Sequence, residues 1–98
     1  MKIKKEIVGK RLNVSVEGAL DTVTSPDFET EIASSLDNIT ELYIDLRNVE
    51  YVSSAGLRAF LYLYQIMSKK GEMVIHDVPE IVQEVFKLTS FTKVVKVE

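Results

Sequence analysis

The sequence predicts an α/β domain, with a mixed central β-sheet packed with α-helices, whose elements follow the order β-β-α-β-α-β-α-β. Two patterns support this prediction. Near the start of the chain apolar and polar residues alternate, which is typical of half-buried strands. Farther along, apolar residues recur at steps of three and four, as on the buried face of a helix, and these segments alternate with short apolar runs. Strands separated by helices indicate parallel pairing through helical crossovers.

Length and composition indicate a single domain over residues 1–98. Of the 98 residues, 46% are hydrophobic, and a chain of this length forms one core. It contains no cysteine and a single histidine, His76, so disulfides, thiolate chemistry and multi-histidine metal sites are excluded within a monomer. No apolar run approaches the ~18 residues of a membrane span, and no signal-peptide pattern opens the chain. We therefore expect a soluble, cytoplasmic protein.

The charge balance disfavours nucleic acid as a partner. Twelve basic and fifteen acidic residues give a net charge of −3, whereas nucleic-acid binding usually needs a concentrated basic face. The basic cluster of Lys2, Lys4 and Lys5 lies in an alternating segment, which favours a solvated sheet face. We expect neither nucleic-acid binding nor membrane insertion.

Two strands and a helix are predicted in the first third of the chain. Lys2–Val8 and Arg11–Glu17 form a hairpin through Gly9–Lys10, because glycine can adopt the positive φ of a tight turn. Gly18–Asp21 then leaves the sheet as a loop. The pair Ser25–Pro26 opens the first helix, since serine caps free amides and proline fits the first turn. The apolar stripe of this helix comprises Phe28, Ile32, Ala33 and Leu36.

The middle of the chain predicts the most buried strand and helix. Leu42–Leu46 is nearly all apolar, which is typical of a strand covered on both faces or of a central parallel strand. Arg47–Val52 is a short connection, and the second helix begins at Ser53 or Ser54. It ends at Lys69–Gly71, where glycine suits a left-handed cap. Its apolar residues are Leu57, Ala59, Phe60, Leu61, Leu63, Tyr64, Ile66 and Met67.

The last third of the chain adds a strand, a helix and a final strand. Met73–His76 is the first of these, Pro79 begins the third helix, and Lys93–Val97 is the last strand. The residues expected to face inward from the third helix are Ile81, Val82, Val85, Phe86 and Leu88.

No catalytic motif is present. The chain has no glycine-rich phosphate-binding motif, and Val52–Gly56 lacks the leading glycine of a nucleophile elbow. His76 ends a strand beside Asp77, where a structural role is favoured over that of a catalytic base. The acidic residues are scattered singly, without the spacing of a metal cage or a carboxylate pair. We expect no enzymatic activity, no cofactor and no metal.

The most unusual stretch is Tyr51–Arg58, in which Ser53, Ser54, Ala55 and Gly56 stand together before an apolar helix. Capping by Ser53 and close packing of the small residues account for part of it. A glycine in the first helical turn nevertheless costs about 1 kcal/mol relative to alanine. Small residues at a helix end form a surface that the backbone of another protein can approach closely.

The segment Asp45–Arg58 resembles the signature of the STAS domain, and in particular that of the bacterial anti-sigma-factor antagonists, or anti-anti-sigma factors. The similarity spans nearly the whole chain and includes Gly18–Asp21, Gly71–Ile75 and the helix that follows Pro79. The resemblance implies a phosphorylation switch. The unmodified protein binds an anti-sigma factor that is also a serine kinase, and thereby frees the sigma factor. The kinase uses ATP to phosphorylate a serine at the start of the central helix, and a metal-dependent serine/threonine phosphatase, a transient partner, reverses this.

The resemblance also assigns the site residues. It places the phosphoacceptor at Ser54 and the motif glycine at Gly56. Many relatives carry aspartate just before the acceptor, where this chain has Ser53, so Ser53 is a competing acceptor. Asp21 matches a loop position near the acceptor, and capping of its own loop is an alternative role for it. The partner-binding set is Asp21, Ser53, Ser54, Ala55, Gly56, Leu57 and Arg58.

Elementary electrostatics is consistent with such a switch. A phosphate on Ser54 would lie at a helix N-terminus, which favours anions, and Arg58 lies four residues farther along the helix. We therefore expect the helix to survive phosphorylation and the effect to fall on the partner surface. Two other hypotheses compete with this one: a STAS subunit of a lipid-transport or sensory assembly that is not phosphorylated, and a small nucleotide enzyme, which the missing phosphate-binding motifs disfavour.

Overall fold

The computed structural model describes all 98 residues, and a five-stranded sheet runs through its centre. The strands lie side by side in chain order. β1 and β2 are antiparallel, and every later neighbouring pair is parallel. The predicted α/β fold with a mixed sheet is therefore confirmed. The strands are β1 (Lys2–Val8), β2 (Arg11–Leu20), β3 (Glu41–Val52), β4 (Glu72–His76) and β5 (Lys96–Val97).

Three helices connect the parallel strands: α1 (Ser25–Ala33), α2 (Ser54–Met67) and α3 (Glu80–Leu88), with a 3₁₀ turn at Phe91–Lys93 before β5. Each crossover steps to the next strand in the same direction, and right-handed crossovers of this kind place all helices on one face. α2 has six buried residues against three in α1 and two in α3, so the prediction that it is the most buried helix is confirmed. None of the helices combines the length and apolar character needed to cross a bilayer.

The opposite face of the sheet, called the open face below, carries no helix. Alternation along β3 buries Leu42, Ile44 and Leu46 against the helices and directs Tyr43 and Asp45, which are half-buried, to the open face. Of the two interpretations of this apolar segment, coverage on both faces is wrong, and a central parallel strand is confirmed.

Both central strands are longer than predicted. β2 continues through Gly18 to Leu20 instead of leaving the sheet, and β3 includes the whole of Arg47–Val52, which was expected to be a connection. The two strands remain paired to their ends because irregularities between Ser15 and Ala19 shift their register, and Gly18 adopts a φ of +105° there. Such bulges keep a strand paired while they disrupt the simple alternation that reveals it in a sequence.

Details of the peripheral elements also differ from expectation. Thr24, not Ser25, occupies the N-cap of α1, and the hydroxyl of Ser25 is buried without a hydrogen-bond partner. Ile81 and Leu88 of α3 are exposed, the latter to 87%. α3 buries only Val82 and Phe86, so Ile81 and Leu88 on its flanks face solvent.

The final strand is shorter than predicted, because residues 91–93 form a 3₁₀ turn. This turn places the ring of Phe91 in a stack on Phe86, with 4.5 Å between the ring centroids. Phe91 also contacts Phe60 of α2, with 6.0 Å between centroids. The aromatic packing fixes the chain before β5 and leaves only Lys96–Val97 to pair with β4.

Gly71 does not form the expected left-handed cap, because its φ is not in the positive range. Glycine is required at this position because there is no room for a side chain. A Cβ atom on Gly71 would overlap the carbonyl oxygen of Thr40 and lie 2.7 Å from its carbonyl carbon. The same carbonyl accepts a 2.9 Å hydrogen bond from the amide of Glu72 at the start of β4. The segment that follows α2 therefore passes directly against the residue that precedes β3.

We predict that Gly71→Ala lowers the free energy of unfolding by about 1–3 kcal/mol, because the added methyl group must displace backbone rather than a flexible side chain. Chemical denaturation monitored by far-ultraviolet circular dichroism measures the change. Lys69→Ala is the matched control, since Lys69 is exposed and makes no ion pair, and it should remain within about 0.5 kcal/mol of wild type. Equal unfolding midpoints for Gly71→Ala and wild type would contradict this prediction, because they would show that the contact with Thr40 tolerates a methyl group.

Candidate functional site

The start of α2 is hydrogen-bonded to the end of β2 and directly follows the end of β3. Leu20 and Val52 are paired at the last position of the two strands. The next amide, that of Ser53, donates a 2.8 Å hydrogen bond to the carbonyl oxygen of Leu20. The chain therefore turns from β3 into α2 while it remains bonded to β2, and this bond fixes where the first residues of the helix lie.

Gly56 allows the helix to approach these strand ends. A Cβ atom at this position would lie 2.8 Å from Cγ1 of Val52 and 3.0 Å from the carbonyl oxygen of Leu20. Both distances are shorter than an ordinary van der Waals contact, and Gly56 does not have a positive φ. The glycine in the first turn of α2 is thus required by close packing rather than by an unusual backbone conformation.

Ser53 is the N-cap of α2, as predicted. Its backbone is extended, with φ of −88° and ψ of 178°, and its Oγ accepts a hydrogen bond from the Gly56 amide at 3.4 Å. Its carbonyl oxygen accepts the first helical hydrogen bond, from Leu57, at 3.0 Å. Ser53 is half-buried and takes part in three hydrogen bonds that shape the turn.

Ser54 differs from Ser53 in its position, its exposure and the bonding of its hydroxyl. It is the first residue of α2, it is exposed, and its hydroxyl makes no hydrogen bond. Arg58 is exposed as well and makes no ion pair, whereas Ala55 is half-buried. Leu57, like the glycine before it, is buried and supports the surface from beneath. Of the residues expected to bind a partner, Ser54 and Arg58 are therefore the ones that present their side chains to solvent at the start of the helix.

Asp21 organises the loop that leads from β2 to α1. Its Oδ1 accepts hydrogen bonds from the amides of Val23, at 2.9 Å, and Thr24, at 3.0 Å. These bonds, chiefly that from the Thr24 amide, lower the pKa of the Asp21 carboxyl below its ordinary value. Capping of the loop, one of the two roles considered for Asp21, is confirmed.

The same loop borders the start of α2, because Asp21 directly follows Leu20, which bonds to Ser53. At its tip Val23 is 80% exposed. A single valine between polar residues carries no sequence pattern, so its exposure becomes visible only in the structure.

A second polar group lies on the open face, and no sequence pattern predicts it. Its members are Asp45, Arg47, His76 and Asp77. Nε of Arg47 lies 3.1 Å from Oδ2 of Asp45, and its Nη2 lies 3.2 Å from Oδ2 of Asp77. Nδ1 of His76 lies 2.6 Å from the same oxygen of Asp77. The hydrogen bond from His76, and then the charge of Arg47, lower the pKa of the Asp77 carboxyl. The acidic residues appear scattered in the sequence, and only the register of β3 and β4 brings Asp45 beside His76.

Because the pKa of Asp21 is lowered in the folded state, its carboxylate adds stability above the unfolded value of about 3.9 and loses this contribution as the pH falls through the folded value. Asp21→Ala should therefore unfold at lower denaturant concentration than wild type near neutral pH, and the difference should narrow below about pH 4. Urea unfolding across a pH series measures both effects. Asp37→Ala, at an exposed aspartate, is the control. A difference that stays constant with pH would contradict the assignment.

Comparison with known proteins gives a consistent result. The STAS domain family model matches residues 2–98. BtrV of Bordetella bronchiseptica, which carries the provisional name of an anti-sigma factor antagonist, is 28% identical over 96 residues, which cover 96% of this chain and 83% of BtrV. The anti-sigma-B factor antagonist of Staphylococcus aureus is 30% identical over 83 residues, which cover 82% of this chain and 76% of the relative.

Solved structures agree with the family match. The crystal structure of an anti-sigma factor antagonist from Mycobacterium paratuberculosis has a TM-score of 0.89 and 27% identity to this chain, and the match covers 98% of this chain and 83% of the other. The anti-sigma factor antagonist SpoIIAA in its unphosphorylated form has the same fold, with a TM-score of 0.84 and 13% identity over 99% of this chain and 88% of SpoIIAA. The chain thus belongs to the STAS domain family, and the relatives that it resembles in sequence are named as anti-sigma factor antagonists.

Proposed function

We propose that this protein is a cytoplasmic anti-sigma factor antagonist that is controlled by phosphorylation of Ser54. In the unphosphorylated form it binds an anti-sigma factor that is also a serine kinase, and the sigma factor is released. Phosphorylation ends the complex, and a serine/threonine phosphatase restores it. The names of the relatives support the class of function. The observation that carries the site assignment is the exposed, unbonded hydroxyl of Ser54 at the first position of α2.

The choice of Ser54 over Ser53 follows from their environments. A kinase must bring the hydroxyl oxygen in line with the γ-phosphoryl group of ATP, which requires access from solvent. The Ser54 hydroxyl has this access. Ser53 is half-buried, and its hydroxyl already accepts a hydrogen bond from the Gly56 amide, so a kinase has less access to it.

A phosphoryl group on Ser54 would be compatible with the helix. The amides of Ser54 and Ala55 donate no backbone hydrogen bond, so they are available to an anion at the helix N-terminus. Arg58 lies four residues farther along and has no competing acidic partner. SpoIIAA, which shares the fold, has been solved in a phosphorylated form, with a TM-score of 0.76 to this chain.

The loss of partner binding is therefore attributed to local charge and bulk. Phosphorylation adds about −1.5 to −2 charges at neutral pH on a surface that presents a small hydroxyl. Unfavourable placement of charge in an interface costs several kcal/mol, which corresponds to about a thousandfold in affinity. No rearrangement of the sheet is needed for an effect of this size.

We predict that incubation with ATP and the kinase that co-purifies with the unmodified protein adds one phosphoryl group, detected by intact mass spectrometry. Ser54→Ala should abolish the addition, and Ser53→Ala, the matched control, should retain it. Ser54→Asp should weaken binding of the kinase by about tenfold or more, since a carboxylate supplies only part of the charge of a phosphate.

Two outcomes would overturn this proposal. Modification that is lost in Ser53→Ala but retained in Ser54→Ala would move the acceptor to Ser53. A stable complex with a partner that has no kinase activity, together with the absence of any modification, would favour the alternative of an unphosphorylated STAS subunit in a lipid-transport or sensory assembly.

A further inference from the structure

Asp45, His76 and Asp77 form a compact group on the open face of the sheet, on the side opposite to the helices. One ligand atom from each of the three residues lies within 4.8 Å of the others. Small side-chain movements could therefore place all three atoms about 2.0–2.2 Å from a common ion. The group belongs to none of the contacts that shape the start of α2.

The fold holds these side chains on the same side of the sheet. Asp45 and His76 are register partners in the neighbouring parallel strands β3 and β4, so they project from the same face. Asp77 follows His76 directly, and in a regular strand its side chain would point to the opposite face. Its φ of +54° takes the backbone out of strand geometry, and its Oδ2 lies 2.6 Å from Nδ1 of His76. The sheet thus positions two of the groups, and a left-handed residue positions the third.

A cation already occupies the space between the two carboxylates. The guanidinium group of Arg47 lies 3.1 Å from Asp45 and 3.2 Å from Asp77. The side chain of Arg47 is 62% exposed, that of Asp77 49% and that of Asp45 18%. The ion pair with Asp77, in which both side chains are exposed, contributes little to stability. Arg47 can therefore swing into solvent when a better ligand for the two carboxylates arrives.

The chemistry of the group fits a divalent transition metal. One imidazole nitrogen and two carboxylate oxygens are a set that Zn²⁺ accepts, with a fourth position left for water, and the two carboxylate charges balance the charge of the ion. Two of the three residues, His76 and Asp77, line an open surface depression of about 410 Å³ together with Tyr43 and Glu98. We propose that Asp45, His76 and Asp77 bind Zn²⁺, which displaces the Arg47 guanidinium from between the carboxylates.

Titration of the metal-free protein with ZnCl₂ tests this site. Isothermal titration calorimetry should give one equivalent of Zn²⁺. Because His76 is the single histidine of the chain, its ring nitrogen signals in ¹⁵N NMR are unambiguous, and Nδ1 should shift on titration. Asp45→Asn, Asp77→Asn and His76→Gln should each weaken binding by about tenfold or more. Arg47→Gln should tighten it, since the competing cation is removed.

Matched controls separate this site from the proposed switch. Asp37→Asn changes an exposed aspartate elsewhere, and Ser54→Ala changes the proposed acceptor; neither should alter Zn²⁺ binding. Mg²⁺ should leave the His76 signals unchanged, because it prefers oxygen ligands. Thermal unfolding verifies that each variant is folded. The proposal is overturned if Zn²⁺ does not bind, if either Asp→Asn variant binds it as wild type does, or if Arg47→Gln weakens binding.

Discussion

The close approach of α2 to the ends of β2 and β3 determines the rest of the site. It depends on the hydrogen bond from the Ser53 amide to the Leu20 carbonyl and on the absence of a side chain at Gly56, whose Cβ would collide with Val52. Together these contacts fix the first turn of the central helix on the sheet. They also leave the next hydroxyl, that of Ser54, exposed on a rigid base. The loop capped by Asp21 begins directly after Leu20, the residue whose carbonyl oxygen accepts the hydrogen bond from Ser53.

This arrangement suits regulation by local charge. The proposed acceptor, Ser54, is the first residue of a fourteen-residue helix and lies at its positive end. We therefore expect the helix to stabilise an added negative charge, which would be unfavourable only toward a partner. The helices pack on one face of the sheet, and the polar group around Asp45 and His76 lies on the other, where β3 and β4 pair in parallel. The domain thus offers two separate surfaces, one at a helix end and one on a sheet face, that are joined by a common core.

Sequence patterns identified the elements whose contacts are local. The cap at Ser53, the buried stripe of α2 and the hairpin at Gly9, where φ is +63°, all depend on neighbours in the chain. The patterns failed where contacts come from distant segments. The strand character of Arg47–Val52 depends on pairing with a bulged β2. The need for glycine at position 71 comes from Thr40, thirty-one positions away in the chain, rather than from its own backbone conformation. The proximity of Asp45 to His76 follows only from strand register.

We propose that phosphorylation of Ser54 changes the surface at the start of α2 and leaves the fold unchanged. Comparison of ¹H–¹⁵N correlation spectra of the unmodified and Ser54-phosphorylated protein tests it most directly. We expect amide shifts that are confined to the first turns of α2 and the neighbouring loop at Asp21–Thr24, with downfield movement of the Ser54 and Ala55 amides as they bind the phosphate. Shifts that extend through β3 and β4, or loss of the α2 signals, would contradict the claim, because they would show that the phosphate acts by rearranging the fold.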